Sequence, residues 1–145
     1  MRVEQYHGDA SELADALAGL VPQLSKSNPA PSVQKVAAML SSDAITQFVA
    51  RRDADDAIVG VATLTVFRIP TGLRAWIEDV IVDEAVNGQG IGAALTQAML
   101  DHARALGCTT VDLTSRPSRE AANHLYKKLG FVLRDTNTYR YDLNT

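Results

Sequence analysis

Residues 76–95, WIEDVIVDEAVNGQGIGAAL, run from β-branched and aromatic strand residues through a glycine-dense turn directly into a helix. Few folds accept that junction. Gly88, Gly90 and Gly92 lack a Cβ, so the backbone there turns sharply and brings its N–H groups close to a ligand. The helix that begins near Gly90 adds the unpaired amides of its first turn and the positive end of its dipole, both of which favour a polyanion. A diphosphate suits such a loop.

The spacing of the glycines separates the kinds of diphosphate site. A dinucleotide fold asks for G-x-G-x-x-G after an early strand, with an acidic residue about 20 positions on. Here the spacing is G-x-G-x-G; Asp112 falls at the right distance, but roughly half the chain precedes the loop and one strand-helix-strand unit follows it. A nucleoside triphosphate loop needs G-x-x-x-x-G-K followed by Ser or Thr, and the chain has no such segment.

The segment Val82–Leu95, VDEAVNGQGIGAAL, resembles the acetyl-CoA loop of the GNAT superfamily of N-acetyltransferases, in which Gln or Arg precedes the glycines. Asn87 stands where the family normally has Arg or Gln. A second segment, Arg119–Phe131, REAANHLYKKLGF, is similar to the family's N-x-x-A-x-x-L-Y-x-x-x-G-F, with Arg119 in place of the usual Asn. The two motifs, in this order and separated by one helix and one strand, cover about residues 58–143. The resemblance implies an α+β (mixed α/β) GNAT fold: a central, mostly antiparallel sheet of six to seven strands, splayed between the fourth and fifth and flanked by four helices. It also implies that Asn87, Gly88, Gln89, Gly90, Ile91, Gly92 and Ala93 hold the pyrophosphate of acetyl-CoA. Val80, Ile81 and Val82 would offer backbone groups to the pantetheine arm as an added strand does, and an amide near Val80 or Ile81 would polarise the thioester carbonyl.

Bulk properties agree with one compact enzyme domain over residues 1–145, long enough to bury about two-thirds of its unfolded surface. Hydrophobic content of 46% and charged content of 21% are ordinary for a globular chain, and a net charge of −3 supplies no basic footprint for nucleic acid. Cys108 is the only cysteine, which excludes an intrachain disulfide and fits a reducing compartment. The polar start MRVEQYHGD and the lack of any run near 18 apolar residues make no membrane association and a cytoplasmic location the expectation.

Local patterns predict the elements. Arg2–His7 reads as a strand; Asp9 or Ser11 caps a helix that places Leu13, Leu17, Leu20 and Leu24 on one face. Ser32 caps a second short helix with Val33, Val36, Ala37 and Leu40 on its apolar side. Strands follow at Ile45–Ala50, Ile58–Arg68 and Leu73–Val82, joined by the polar turn Arg52–Asp56 and by Pro70-Thr-Gly72. Gln89–Leu106 reads as a long helix closed by Gly107, then Thr109–Thr114 as a strand and Arg119–Leu129 as a helix. Leu133–Arg134 and Tyr139–Leu143 are expected to finish the sheet.

The resemblance and the residue chemistry together pick out a site. Tyr126 is the expected side-chain catalyst, because a departing thiolate must be protonated and a phenol with ordinary pKa about 10 carries its proton at neutral pH. Packing as a core tyrosine among Ala122, Leu125 and Leu129 is the competing reading. Strand alternation puts Glu78 and Asp79 on opposite faces, one of them toward the core side. An ammonium nucleophile must lose a proton before it attacks an acyl group, so Glu78 is the expected base, with Asp79 and Trp76 beside it at the acceptor; core or interface packing is the other reading of Trp76. The alternative for the carboxylates is an ion pair with Arg68 or Arg74, or a bond to a backbone amide. Arg119 and Asn123 lie one helical turn apart with Tyr126 and are expected on the CoA arm or phosphates, with exposed salt bridges as the plain alternative. His102 lies on the apolar stripe of Ile91, Leu95, Met99 and Leu106, so a half-buried, hydrogen-bonded role is expected. His7 and His124 have no partner pattern, and no paired ligand spacing points to a metal. Cys108 has no nearby base in sequence, which favours a structural role.

The reading is thus an N-acetyltransferase that passes acetyl from acetyl-CoA to a primary amine by direct attack, with a small cationic amine as acceptor. A non-catalytic acyl-CoA sensor and a protein or peptide acetyltransferase are the alternatives. A homodimer is a family expectation, which free strand edges and Tyr139 and Tyr141 would serve.

Overall fold

The computed structural model describes residues 1–144, which form two compact units, Met1–Thr114 and the residues from Ser115 onward. In the first unit, strand β1 (Arg2–Gln5) is followed by helices α1 (Ala10–Leu24) and α2 (Val33–Leu40), then by β2 (Ile45–Arg51), β3 (Ile58–Ile69) and β4 (Gly72–Val82). A single 3-10 turn, Glu84–Val86, leads to α3 (Ile91–Ala105) and to β5 (Thr110–Asp112). The second unit contains α4 (Glu120–Lys128).

The sheet has five strands in the order β1-β2-β3-β4-β5, antiparallel except for the parallel pair β4 and β5. This is the expected α+β class with four helices, but the expected six to seven strands are corrected to five among the described residues. The shortfall lies in the tail. Leu133–Arg134 and Tyr139–Leu143 form no strand, and Leu133, Tyr139, Tyr141 and Leu143 are strongly exposed. β-propensity expresses fit to a ladder and a half-buried surface, and these residues have neither. The strand expected over Thr109–Thr114 likewise contracts to three residues.

Register assigns side chains to the two faces of the sheet, since directly paired residues share a face. One face carries Phe48, Ala62, Leu64 and Ile77, and α3 packs across it with Leu95 and Met99 wholly buried. Gly60 permits the contact: a Cβ there would sit 3.1 Å from Ile91 Cγ2 and Leu95 Cδ1, so any side chain crowds those two groups of the helix. The other face carries Val49, Val61 and Ile81, which join Leu13, Leu17 and Leu20 of α1 and Val36 of α2 in one cluster. Leu24, expected on the same stripe, is exposed at the last turn of α1. Ser32 caps α2 as its sequence suggests, accepting from the Lys35 amide at 3.2 Å.

A buried charge ties α1 to the sheet. Arg51 donates to Glu4 at 2.8 Å, to both Glu12 oxygens at 2.9 and 3.1 Å, and to the Asp56 carbonyl at 3.0 Å. The Tyr6 hydroxyl completes the group, its one hydrogen shared between the Asp9 carbonyl at 2.5 Å and Glu12 at 3.0 Å. Hydrogen bonds from Arg51 hold the Glu4 and Glu12 carboxyls below their ordinary range, and burial pushes the Tyr6 phenol up to about 12. Without those partners, a guanidinium this deep would carry a large desolvation penalty.

Candidate functional site

β4 departs from regular pairing where the sequence places its two carboxylates. Val61 pairs with Ile81 and Thr63 with Glu78, so Ala62 alone faces both Asp79 and Val80. This is a β-bulge, with Asp79 at φ 50° as its distorted residue. The extra residue breaks alternation, and the expectation that one carboxylate turns toward the core is corrected: Glu78 and Asp79 are both exposed. By register Glu78 and Ile81 now share the α1/α2 face, three positions apart.

The bulge also decides which backbone groups face the edge of β4. Asp83 N–H donates to the Val59 carbonyl at 2.8 Å, so the backbone of Ile81, two residues earlier, is turned to β3 as well. Val82 faces the other way, and neither Asp79 nor Val80 has a β3 residue of its own. On that outer side β5 pairs only Arg74, Ala75 and Trp76, through Thr110, Val111 and Asp112. From Ile77 to Val82, β4 continues past the end of β5 at Asp112 and has no β5 partner. Of Val80, Ile81 and Val82, register turns the backbone of Ile81 to β3 and that of Val82 to the open edge, while Val80 sits in the bulge.

β4 runs directly into the glycine loop. Asp83 caps the 3-10 turn by accepting from the Ala85 amide at 3.0 Å, and Val86 anchors it by burial. Gln23 of α1 accepts from the Glu84 amide at 2.9 Å, a brace that no local sequence pattern announced. Gly88 and Gly90 adopt φ of 81° and 76°, in left-handed conformations that cost a side-chain residue roughly 1–2 kcal/mol. A Cβ would meet nothing within 4 Å at either position, so dihedral angle and not crowding calls for glycine. Gly90 is the N-cap of α3, and the first intrahelical bond is Ala94 N–H to the Gly90 carbonyl at 3.0 Å. The amides of Ile91, Gly92 and Ala93 therefore lack intrahelical acceptors at the positive end of a 15-residue helix, which fits a pyrophosphate. Asn87, Gly88, Gln89 and Gly90 are exposed, while Ile91 is buried and anchors the helix start. A cavity of about 200 Å³ lined by Met1, Arg52, Asp53, Val59, Val86, Gln89 and Ile91 borders the loop, and none of its lining residues belongs to β4 or β5.

The Trp76 indole N–H donates to Glu78 Oε1 at 2.7 Å, which orients both side chains on the α1/α2 face. Among the described residues neither Glu78 nor Asp79 makes an ion pair. Arg74 instead donates to Thr109 and, at 3.0 Å, to Thr71. His102 is half-buried as expected, 3.4 Å from Thr46 Oγ1 and edge-on to Phe48.

In the second unit, Tyr126 is half-buried and packs edge-on against Phe131, ring centroids 5.6 Å apart. Burial raises its phenol above the ordinary 10, with the Arg119 charge opposing, so the hydroxyl keeps its proton throughout the neutral range. Asn123 Nδ2 donates to the carbonyls of Arg116 and Arg119, both at 2.8 Å, and so stitches the start of α4. Arg119 is the exposed N-cap of that helix and makes no ion pair among the described residues. Ser115 Oγ is buried with no hydrogen-bond partner, a polar orphan on the chain just after β5. Among the described residues there is no group of three or more His, Cys, Asp or Glu placed to hold a metal ion, and no helix is long and apolar enough to cross a membrane.

The chain is similar to known proteins in sequence and in fold. The model of the acetyltransferase (GNAT) family matches residues 13–131. Glucosamine 6-phosphate N-acetyltransferase 1 of Oryza sativa subsp. japonica is 29% identical over 140 residues, 89% of this chain and 82% of that protein. N-alpha-acetyltransferase 30 of Schizosaccharomyces pombe is 39% identical over 74 residues, 51% of this chain and 49% of that one. Among solved structures, a putative acetyltransferase from Agrobacterium tumefaciens superposes with a TM-score of 0.85 at 26% identity, covering 98% of this chain and 100% of that chain.

Proposed function

We propose a reaction for this chain, which belongs to the acetyltransferase (GNAT) family and is an acyltransferase: acetyl passes from acetyl-CoA to a primary amine by direct nucleophilic attack. The family uses acetyl-CoA as co-substrate, and its thioester supplies the activated acyl group. The observation that carries the proposal is that β4, whose bulge leaves Val80 without a β3 residue of its own and whose register turns Val82 away from β3, runs directly into the free amides of Ile91, Gly92 and Ala93. In this reading the Asn87–Ala93 loop holds the pyrophosphate, chiefly through backbone N–H groups, so Asn87 in place of a longer polar residue removes one contact and keeps the rest. Val80 and Val82 pair with the pantetheine arm, and the Val80 amide is the donor to the acyl oxygen. Ile81 keeps its backbone on β3 and contributes packing.

The acceptor is a small cationic amine. Glu78, exposed and oriented by Trp76, attracts the ammonium and takes its proton at a carboxylate oxygen; Asp79 adds negative charge beside it. Tyr126 supplies the proton for the leaving thiolate, a role that rests on its motif position and its protonated phenol. Arg119 binds phosphate from the exposed N-cap of α4, while Asn123 holds that helix start. One relative is named for glucosamine 6-phosphate and another as an N-alpha-acetyltransferase, so the acceptor class is chosen from the carboxylates. A cytoplasmic setting belongs to the proposal on the single cysteine and the lack of a long apolar run, and a homodimer on the resemblance alone.

Isothermal titration with acetyl-CoA, followed by thiol release with spermidine, glucosamine, glucosamine 6-phosphate, amino acids and a short peptide, tests the reading. Binding with amine-dependent thiol release is expected, fastest with an acceptor that carries no phosphate. Binding without release on any amine sinks the enzyme mechanism in favour of an acyl-CoA sensor. Tyr126→Phe is expected to lower kcat roughly 100-fold or more with little change in KM; an unchanged kcat removes Tyr126 from the chemistry.

A further inference from the structure

A buried amide next to the proposed acceptor site determines what a neighbouring hydroxyl has left to offer. Gln47, on β2, is buried, and its Nε2 lies 3.0 Å from the Ala62 carbonyl and 3.2 Å from the Phe48 carbonyl. Carbonyl oxygens only accept, so the nitrogen of the amide must face them and the oxygen must face the other way. Gln47 Oε1 is thereby turned to Thr63, whose Oγ1 lies 2.8 Å off. An amide oxygen cannot donate. The single hydroxyl hydrogen of Thr63 is committed to Gln47, and Oγ1 presents only lone pairs to anything else that approaches.

What approaches is set by register. Thr63 pairs directly with Glu78 on the α1/α2 face, which puts their Cβ atoms about 5 Å apart. One Glu78 oxygen is taken by the Trp76 indole, and the other is free. A half-buried hydroxyl locked as an acceptor therefore sits beside a carboxylate, with no donor of its own to give to an anion.

We infer that Thr63 is a specificity-determining residue of the acceptor site: its Oγ1, held acceptor-only by Gln47, takes one N–H of a primary ammonium while Glu78 takes another. The inference deepens the proposed function and rests on its placement of the acceptor at Glu78. An ammonium has three N–H donors and no acceptor, so it satisfies both oxygens, whereas a phosphate or carboxylate satisfies neither. When the N–H facing Glu78 gives up its proton to the carboxylate, the electron pair of that bond stays on nitrogen. The N–H held by Thr63 stays in place and fixes the direction of the new lone pair. Gln47 touches no substrate and acts as a positioning residue through Thr63.

The test uses the full chain and whichever amine of the panel above is acetylated best. Thr63→Val keeps shape and β-branching but removes the acceptor, and is expected to raise the amine KM roughly 10- to 100-fold, the size of one hydrogen bond to a charged group. The acetyl-CoA KM should stay within about twofold, and Thr63→Ser should recover most of the loss. Gln47→Leu should raise the amine KM in the wild-type background and have no further effect in Thr63→Val, a coupling that a purely structural role for Gln47 would not produce. If Thr63→Val leaves the amine KM unchanged while Glu78→Gln raises it, the inference is overturned and the proposed function stands. If the wild-type chain binds acetyl-CoA and acetylates no amine, the proposed function falls and this inference falls with it.

Discussion

The two faces of the sheet in the first unit both bury apolar side chains, but only one adds a set of oriented polar groups to them. The α3 face is apolar and close-packed: Leu64, Leu95 and Met99 are wholly buried, and Gly60 lets the helix approach to side-chain contact. Against α1 and α2 the same strands present Gln47, Thr63, Arg51, Trp76 and Glu78, each tied by hydrogen bonds to a named partner. One face fixes where the phosphate loop sits, because α3 carries that loop at its N-terminus. The other leaves oriented polar groups near the open edge of β4. Substitutions of buried apolar residues should therefore cost stability, and those of the oriented polar groups near β4 should cost activity.

The contrast is tested most severely at Leu95. Leu95→Ala is expected to destabilise the chain by about 2–5 kcal/mol in urea unfolding, since a wholly buried leucine leaves a cavity. Its kcat per folded molecule should hardly change, and a large loss of kcat without loss of stability would erase the distinction. Glu78→Gln is the opposite case. A fall in kcat/KM of about 100-fold, near 2.7 kcal/mol of barrier, should accompany an unfolding midpoint that moves little; an unaltered pH–rate profile would remove Glu78 as the base. A smaller effect is expected from Gly60→Ala. Its new methyl meets Ile91 and Leu95 at 3.1 Å, and a cost of about 1 kcal/mol should appear together with a raised acetyl-CoA KM as the loop shifts. No change in that KM would separate helix packing from cofactor binding.

The weakest expected effect concerns Glu4 and Glu12 around Arg51. Their carboxyls titrate lower in the folded chain than in the unfolded one, so protonation favours unfolding. Their contribution is complete above the unfolded carboxylate pKa of about 4.3 and is lost as pH falls through the depressed folded values. Because both carboxylates are partly exposed, solvent screening keeps the effect modest. Urea midpoints at pH 6 and pH 3.5 should differ less in Arg51→Met than in the native chain. An equal acid sensitivity in both would show that other carboxylates govern it.

Much of this was readable along the chain. Strand, glycine turn and helix follow one another in residues 76–105 because their signals are local: β-branched runs, positive-φ glycines and a 3.6-residue apolar stripe. Ser32 announced its own helix cap. The tail shows where such reading stops. Tyr139, Tyr141 and Leu143 alternate as a strand would, yet they form none, since a strand exists only when another edge receives its hydrogen bonds. The same limit explains Glu78 and Asp79, whose strict alternation was undone by a bulge that depends on the register with β3. Nothing near Gln23 in sequence marks it as a brace for the Glu84 amide, 61 residues away.

The sequence by itself determined the class of the molecule, the phosphate loop with its φ-demanding glycines, and membership of an acyltransferase family, because each rests on contacts between near neighbours or on an ordered motif. Only the tertiary structure decided that Ile81 turns its backbone to β3 while Val82 faces the open edge and Val80 sits in a bulge. It alone placed both carboxylates outside the core, and committed the Thr63 hydroxyl hydrogen to Gln47. The physical reason is the same in every case. A backbone amide or a hydroxyl has one hydrogen to give, and which acceptor receives it is settled by strands that meet across the sheet and not by the residues beside it in the chain.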